Sequence, residues 1–215
     1  MNKTKRIIPA VLVKNFEEFK TNVKLAEAEF SFLQIDVMDG KFVNNQTYFN
    51  AAEVETLETP AVYELHLMVV DPLPIIKSVK NCGKISRIIF HIEPVVDVGA
   101  VIQEIRNQGM EVGLALNPET PLSQLQPYLS LLDAVLLMTV NPGWAGQGFI
   151  ESSYEKIREL RAYAPNLEIE VDGGVSQNNI KSLISAGVNS LAMGSVLFRA
   201  ASFAAIAQEV KKIIT

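Results

Sequence analysis

The sequence predicts a (β/α)8 barrel in which residues 1–215 form a single domain. Short apolar, often β-branched runs recur about eight times along the chain, one per ~27 residues, the spacing of a repeated strand–helix unit. Segments with apolar residues at helical spacing lie between them. Several runs, such as Arg87-Ile-Ile-Phe and Ala134-Val-Leu-Leu-Met, are apolar without strict alternation, as in a parallel sheet covered by helices. An open doubly wound sheet uses the same ingredients. Even spacing, no long insertion and no shift in composition favour the closed ring.

In chain order, strands are expected at 6–12, 32–37, 62–69, 87–93, 110–117, 134–140, 167–173 and 190–197. A helix over 16–29 carries Phe16, Phe19, Val23 and Ala26 on one side and Glu17, Glu18, Lys20 and Lys24 on the other. A helix over 98–108 ends at Gly109 and one over 178–186 ends at Gly187, glycine being suited to the left-handed position that closes a helix. Ser176 is the expected N-cap of the latter, and Ser202 opens a last helix over 203–213.

With 48% hydrophobic and 20% charged residues the chain is no disordered linker. Its one cysteine, Cys82, excludes an internal disulfide and a multi-cysteine zinc cluster, and suits a reducing cytoplasm. Residues 1–12 make a poor signal peptide because Pro9 breaks a brief apolar run. Every apolar stretch is interrupted well short of the ~20 residues a membrane helix needs, so no membrane partner is expected. A net charge of −5 argues against a nucleic-acid partner. Any phosphorylated partner should be small and locally held.

A barrel of this kind does its chemistry at the C-terminal ends of the strands. Strand two ends in Gln34-Ile-Asp36-Val-Met38-Asp39-Gly40, strand three in His66-Leu-Met68, strand four in His91-Ile-Glu93 and strand seven in Glu170-Val-Asp172-Gly-Gly. Alternation puts Gln34, Asp36 and Met38 on one face, with Ile35 and Val37 on the other. Asp36 and Asp172 then stand on strands far apart around the ring and can face each other across a substrate. Opposed carboxylates suit removal of a carbon-bound proton by one and delivery of a proton to the other face by the second, which inverts a carbon next to a carbonyl. A divalent cation held by Asp36, His66 and Asp172 would stabilise the enediolate. An Asp at a strand end also serves as an ordinary cap, but several polar residues on one rim argue for a site. His91, between Phe90 and Ile92, reads as a packed, hydrogen-bonded histidine. Cys82 lies away from any strand end and reads as inert.

Three glycine-bearing segments follow the late strands: Asn141-Pro-Gly143-Trp-Ala-Gly146, Asp172-Gly173-Gly174 and Gly194-Ser195. Each alone is an ordinary turn sequence. Together they suit a phosphate held by backbone N–H groups, with Arg199 the obvious late cation.

In order along nearly the whole chain, these segments resemble the ribulose-phosphate 3-epimerase family. The similar stretches are Ile8-Pro-Ala-Val-Leu, Ile35-Asp-Val-Met-Asp-Gly with Phe42-Val43-Asn44, Leu65-His-Leu-Met-Val and Phe90-His-Ile-Glu. Further on come Ala115-Leu-Asn-Pro-Glu-Thr-Pro, Leu136-Leu-Met-Thr-Val-Asn-Pro-Gly, Val171-Asp-Gly-Gly and Gly194-Ser195. The resemblance implies a cytoplasmic isomerase of carbohydrate metabolism that interconverts ribulose 5-phosphate and xylulose 5-phosphate at C3. It implies Asp36 as proton acceptor and Asp172 as donor, both also ligands, with His66, of a divalent metal of zinc, iron or manganese type. It implies Met38, Met68 and Met138 against the enediolate, where polarizable sulfur suits a delocalised charge. Gly143, Trp144, Ala145, Gly146, Gly173, Gly174, Gly194 and Ser195 match its phosphate-loop positions, and its members commonly form homo-oligomers.

The chain departs from the pattern in the site itself. Gln34 stands where the family has a metal-ligating histidine, and a neutral amide oxygen is a poorer ligand for zinc or iron. Ala10 replaces a serine, Ala145 a glycine and Lys41 a histidine. Two further readings therefore stand beside the first: an epimerase or isomerase of another ketose phosphate, and a sugar-phosphate-binding barrel without turnover.

Overall fold

A computed structural model describes residues 4–214. All eight expected strands form: β1 (Arg6–Val11), β2 (Phe32–Met38), β3 (Val62–Met68), β4 (Ile85–His91), β5 (Glu111–Leu116), β6 (Ala134–Met138), β7 (Glu168–Asp172) and β8 (Ser190–Met193). Each pairs in parallel with its sequence neighbours, and β8 closes on β1 in the register Arg6↔Ser190 to Pro9↔Met193. The helices are α1 (Phe16–Ala26), α2 (Ala51–Glu55), α3 (Leu73–Ser78), α4 (Val98–Asn107), α5 (Ser153–Tyr163), α6 (Ile180–Ala186), α7 (Ser195–Phe198) and α8 (Phe203–Ile214). Two 3-10 turns, Leu122–Leu125 and Leu129–Leu131, stand between β5 and β6.

Local chemistry sets the helix starts. The Asn15 carboxamide oxygen accepts from the Glu18 N–H at 2.9 Å while Glu18 accepts from the Lys14 N–H at 2.9 Å, a reciprocal cap on α1. Asp97 caps α4 through the Ala100 N–H, and Ser202 accepts from the Ala205 N–H at the start of α8. Ser176 does not cap α6 with its side chain. Asn179 accepts from the Ser176 N–H and donates to the Gly174 carbonyl, so the helix begins at Ile180. The extended run expected over 190–197 also ends early, because Gly194 turns the chain at φ −98, ψ −88 and α7 follows.

The main core lies between the sheet and the helices, where outward strand residues such as Leu33, Leu65, Phe90 and Val171 meet Phe19, Ile105, Leu160 and Leu183. Each such side chain, fully withdrawn from water, contributes roughly 1.5–3 kcal/mol. Inside the ring the upper part is narrow on one side: a Cβ on Gly113 would stand 2.9 Å from Ile89 Cγ1 and 3.3 Å from the Ala134 carbonyl oxygen. Small residues there leave the space to Ile89, Leu136 and Met138.

The lower interior is charged. The Arg87 guanidinium, 3% exposed as a residue, lies 2.7 Å from Glu111, 3.0 Å from Glu168, 3.3 Å from Glu64 and 3.6 Å from Glu170. Arg6 adds a 2.5 Å pair to Glu168, and the Ser190 hydroxyl donates to the same oxygen at 2.7 Å. Burial pushes the Glu64 carboxyl up to about 7 against the pull of Arg87, and burial together with Glu64 raises Glu170 well above the usual carboxylate range. Among the described residues, both Glu170 oxygens are buried without a hydrogen-bond partner, the Arg87 guanidinium standing just beyond hydrogen-bond reach of one of them.

Candidate active site

Adjacent strands β2 and β3 carry Asp36 and His66 in register, and β7 carries Asp172 on the other side of the closing pair β8–β1. His66 Nδ1 lies 3.2 Å from Asp36 Oδ1 and 3.4 Å from Asp172 Oδ2. The Gln34 carboxamide nitrogen donates to the same two oxygens at 2.7 and 2.8 Å, so the two carboxylates are bridged twice. Burial pushes the Asp36 carboxyl up, while its hydrogen bond to His66 pulls it down; the rise wins. Burial opposes charge on His66, but the paired carboxylates outweigh it and lift the imidazole to about 9.

Asp36, His66 and Asp172 each offer one ligand atom, all within 4.8 Å of one another. Donors about 2.1 Å from a tetrahedral ion are spaced ~3.4 Å apart, and the two histidine–carboxylate separations match that spacing. Two carboxylate oxygens and an imidazole nitrogen also form a suitable donor set for a divalent first-row metal. These residues fit a cation. Gln34 meets the pair with its N–H donors, and its Oε1 is buried without a partner.

A cavity of about 270 Å³ opens above this group. Asp36, Asp172, Met38, Met68 and Met138 line its floor, and Gly143, Trp144, Ala145, Gly146, Gly173, Gly174, Gly194 and Ser195 line its wall. Ala10 lines it too. Gln34 and His66, both fully buried, lie beneath the floor. Lys41, which stands in place of a family histidine, is exposed and does not line the cavity. Arg199 is exposed at the rim, its Nη1 3.5 Å from where a Cβ on Gly146 would stand.

The wall is tightly built. Gly173 has φ +111, and a Cβ there would sit 2.3 Å from Val140 Cγ2; Gly174 has φ +64, and its Cβ would lie 2.6 Å from the Phe149 nitrogen. Only glycine meets both demands. The Asn45 amide donates to the Gly143 carbonyl at 2.8 Å, and Gln147 donates to the carbonyls of Asn141 and Trp144 at 2.6 and 3.0 Å.

Residues 6–198 match the profile of the ribulose-phosphate 3 epimerase family. The chain belongs to that family. It is 36% identical over 213 residues to the chloroplastic ribulose-5-phosphate-3-epimerase of Arabidopsis thaliana, covering 95% of this chain and 75% of the relative. To the ribulose-phosphate 3-epimerase of Bacillus subtilis it is 36% identical over 201 residues, covering 90% and 92%. Among solved structures it is similar to KGPDC from Streptococcus mutans, with TM-score 0.73, 15% identity and coverage of 99% and 98%. A tryptophan synthase alpha-subunit mutant from Pyrococcus furiosus superposes with TM-score 0.73 at 16% identity over 100% and 99% of the two chains. At such identities the likeness concerns the barrel alone.

On this epimerase-family barrel His91 is the packed, hydrogen-bonded histidine its sequence context suggests, and Glu93 is its partner. His91, 1% exposed, meets His66 nitrogen to nitrogen at 3.0 Å, and its other nitrogen lies 3.0 Å from Glu93. Burial drives the His91 imidazole down to about 4. Glu93 is held at about 2 against its burial by His91, Thr120 and the Asn117 N–H. The Phe-His-Ile-Glu string was the available signal, but its partners lie on other strands. Among the described residues, no helix is long and apolar enough to cross a membrane.

Proposed function

We propose that this chain epimerises ribulose 5-phosphate and xylulose 5-phosphate at C3. One observation carries the reading: two carboxylates from β2 and β7, held on one buried imidazole, both line the floor of a single cavity. In this mechanism Asp36 takes the C3 proton; the C–H electron pair moves toward C2 and the carbonyl oxygen gains negative charge. Asp172 then delivers a proton to the opposite face of C3, the carbonyl re-forms, and the configuration inverts. A divalent cation held by Asp36, His66 and Asp172 supplies, when bound, positive charge beside the oxygens on which negative charge develops. Its identity, whether zinc, iron or manganese, belongs to the proposal. Met38, Met68 and Met138 keep water from the enediolate and offer polarizable sulfur to its charge. Backbone groups of Gly143, Trp144, Ala145, Gly146, Gly173, Gly174, Gly194 and Ser195 hold the phosphate, an arrangement supported by glycines that leave the main chain uncovered along the wall.

Ala10 lines the same cavity, which favours as second reading a related ketose phosphate contacted differently at that position. The proposal extends to a reducing cytoplasm and to a homo-oligomer. The test is incubation of the metal-loaded enzyme with ribulose 5-phosphate in heavy water, with deuterium at C3 followed by NMR. Incorporation accompanied by xylulose 5-phosphate is expected. No exchange with any of several divalent metals would defeat the reading, and faster exchange into another ketose phosphate would transfer it to that substrate.

A further inference from the structure

We propose that His91 and Glu93 are positioning residues that fix which ring nitrogen of His66 faces the site, through a hydrogen-bond chain anchored in the loop after β5. The geometry stands by itself, and only its catalytic consequence rests on the epimerase reading. At the far end, Glu93 Oε1 accepts from the Asn117 backbone N–H at 2.6 Å and from the Thr120 hydroxyl at 2.5 Å. Its Oε2 lies 3.0 Å from His91 Nδ1. The loop places two donors on Oε1, as suits a carboxylate with no proton of its own, so the proton of the Oε2 contact lies on His91 Nδ1. A neutral imidazole has one N–H, which leaves His91 Nε2 as an acceptor. That nitrogen is 3.0 Å from His66 Nε2, so His66 bears its proton there. His66 Nδ1, facing Asp36 and Asp172, is thereby the nitrogen that gives up its proton to make room for a cation.

The two imidazoles of the chain are buried and its anchor is held in place. His66 and His91 are 0% and 1% exposed, and their rings lie end to end, centroids 5.2 Å apart and 23° from coplanar, as an in-plane hydrogen bond between them requires. The Phe42 ring packs on His91 with centroids 4.8 Å apart. The anchoring loop is itself held: Lys156 Nζ donates to the carbonyls of Asn117, Pro118 and Thr120 at 2.8, 2.9 and 2.6 Å. Because the relay keeps a proton on Nε2, an arriving cation displaces the proton on Nδ1, between the two carboxylates, and the imidazole ligates through that nitrogen.

The chain contains two histidines, so both ring systems of an imidazole nitrogen spectrum are the ones in question. We would label histidine with 15N in the full-length protein and record long-range 1H–15N correlations, metal-free and zinc-loaded. The expected result is His91 protonated at Nδ1 and bare at Nε2, the minor form in free histidine, with His66 protonated at Nε2 in both states. His91 protonated at Nε2 would overturn the proposal. In parallel, His91→Leu removes the acceptor whereas His91→Gln keeps one. Zinc affinity, read by competition with a chelating dye, is expected to fall ~10–100-fold in the leucine variant and to be largely rescued by glutamine. Equal affinities in the two variants and the wild type would also overturn it. Should the leucine variant fail to fold, the wild-type tautomer decides alone. None of these readouts needs turnover, so absence of C3 exchange in the wild type would strike the epimerase reading and leave this one standing.

Discussion

Gln34→His should turn a hydrogen-bond donor into a metal ligand, and the structure sets the scale of the gain. The Gln34 amide lies 2.7 and 2.8 Å from the two carboxylate oxygens that fit a cation, so a side chain at this position reaches the right place but presents hydrogens. A four-ligand zinc site binds with roughly 10–16 kcal/mol, or about 3 kcal/mol per ligand. An added imidazole ligand therefore strengthens zinc binding by roughly 100-fold. In the metal-free protein the sign reverses, because two charge-assisted hydrogen bonds worth roughly 1.5–3 kcal/mol each are weakened. Competition with a chromophoric chelator gives the affinity. Scanning calorimetry with and without zinc gives a second readout, in which the metal-induced rise in Tm grows by roughly 6–12 °C in the variant. An affinity within threefold of the wild type would refute the reasoning, since position 34 would then either not face the cation or already serve it through Oε1.

Three further outcomes follow from the same geometry. Asp172→Asn should slow formation of xylulose 5-phosphate by ~10²–10⁴-fold and, because Asp172 also helps hold the cation, slow deuterium entry into C3 of ribulose 5-phosphate through Asp36 to a smaller extent; equal loss of both, measured by NMR at saturating metal, would reverse or remove the assigned roles. Arg87→Leu strands Glu64, Glu168 and Glu170 around an uncharged side chain and should cost roughly 3–5 kcal/mol in urea unfolding at pH 7. Burial works against the Glu168 charge, yet Arg87 and Arg6 hold it at about 2, below its ordinary 4.5. The stabilisation is thus complete above 4.5 and is lost as pH falls from 4.5 toward 2, so the gap between wild type and Arg87→Leu should narrow at pH 3. Gly174→Ala places a methyl group 2.6 Å from the Phe149 nitrogen at φ +64, and should raise KM for the phosphorylated ketose by roughly 10–100-fold; an unchanged KM would separate this loop from phosphate binding.

Strands announced themselves because residues such as Ile35, Leu65 and Val171 must be apolar to meet the helices, whatever faces the axis. Helices α2 and α3 did not, since five or six residues are too few to display a period. In α5 only Ser153, Ile157 and Leu160 are buried, too faint a stripe to separate Ser-Tyr-Glu-Lys-Ile-Arg-Glu from a loop. The overlong eighth strand came from Val196 and Leu197, apolar residues that serve α7 instead. Within the site, Asp36, His66 and Asp172 were legible from their strand ends, as was the glycine wall. The Gln34 bridge was not, because it joins residues 138 apart in sequence. Glu170, read with Asp172 as part of one polar strand end, belongs one layer lower, where Arg87 and Glu64 lie across the axis. Facing direction followed from alternation, but depth along the axis depends on barrel stagger, which no local pattern encodes.

Closure of β8 on β1 has a consequence for how the protein is made. The side chains of Arg6 and Ser190 that meet at the seam are 184 residues apart. A ribosome adding ~5–20 residues per second makes the second partner roughly 10–40 s after the first. Throughout that interval β1 presents an unpaired edge, open to intermolecular pairing or to a holdase that covers it. The two carboxylates of the floor cannot meet until β7 has emerged, so a chain released early yields an incomplete sheet and no partial catalyst. Synthesis of this protein is therefore exposed to failure up to its last strand, and truncations near residue 190 should aggregate rather than lose activity by degrees.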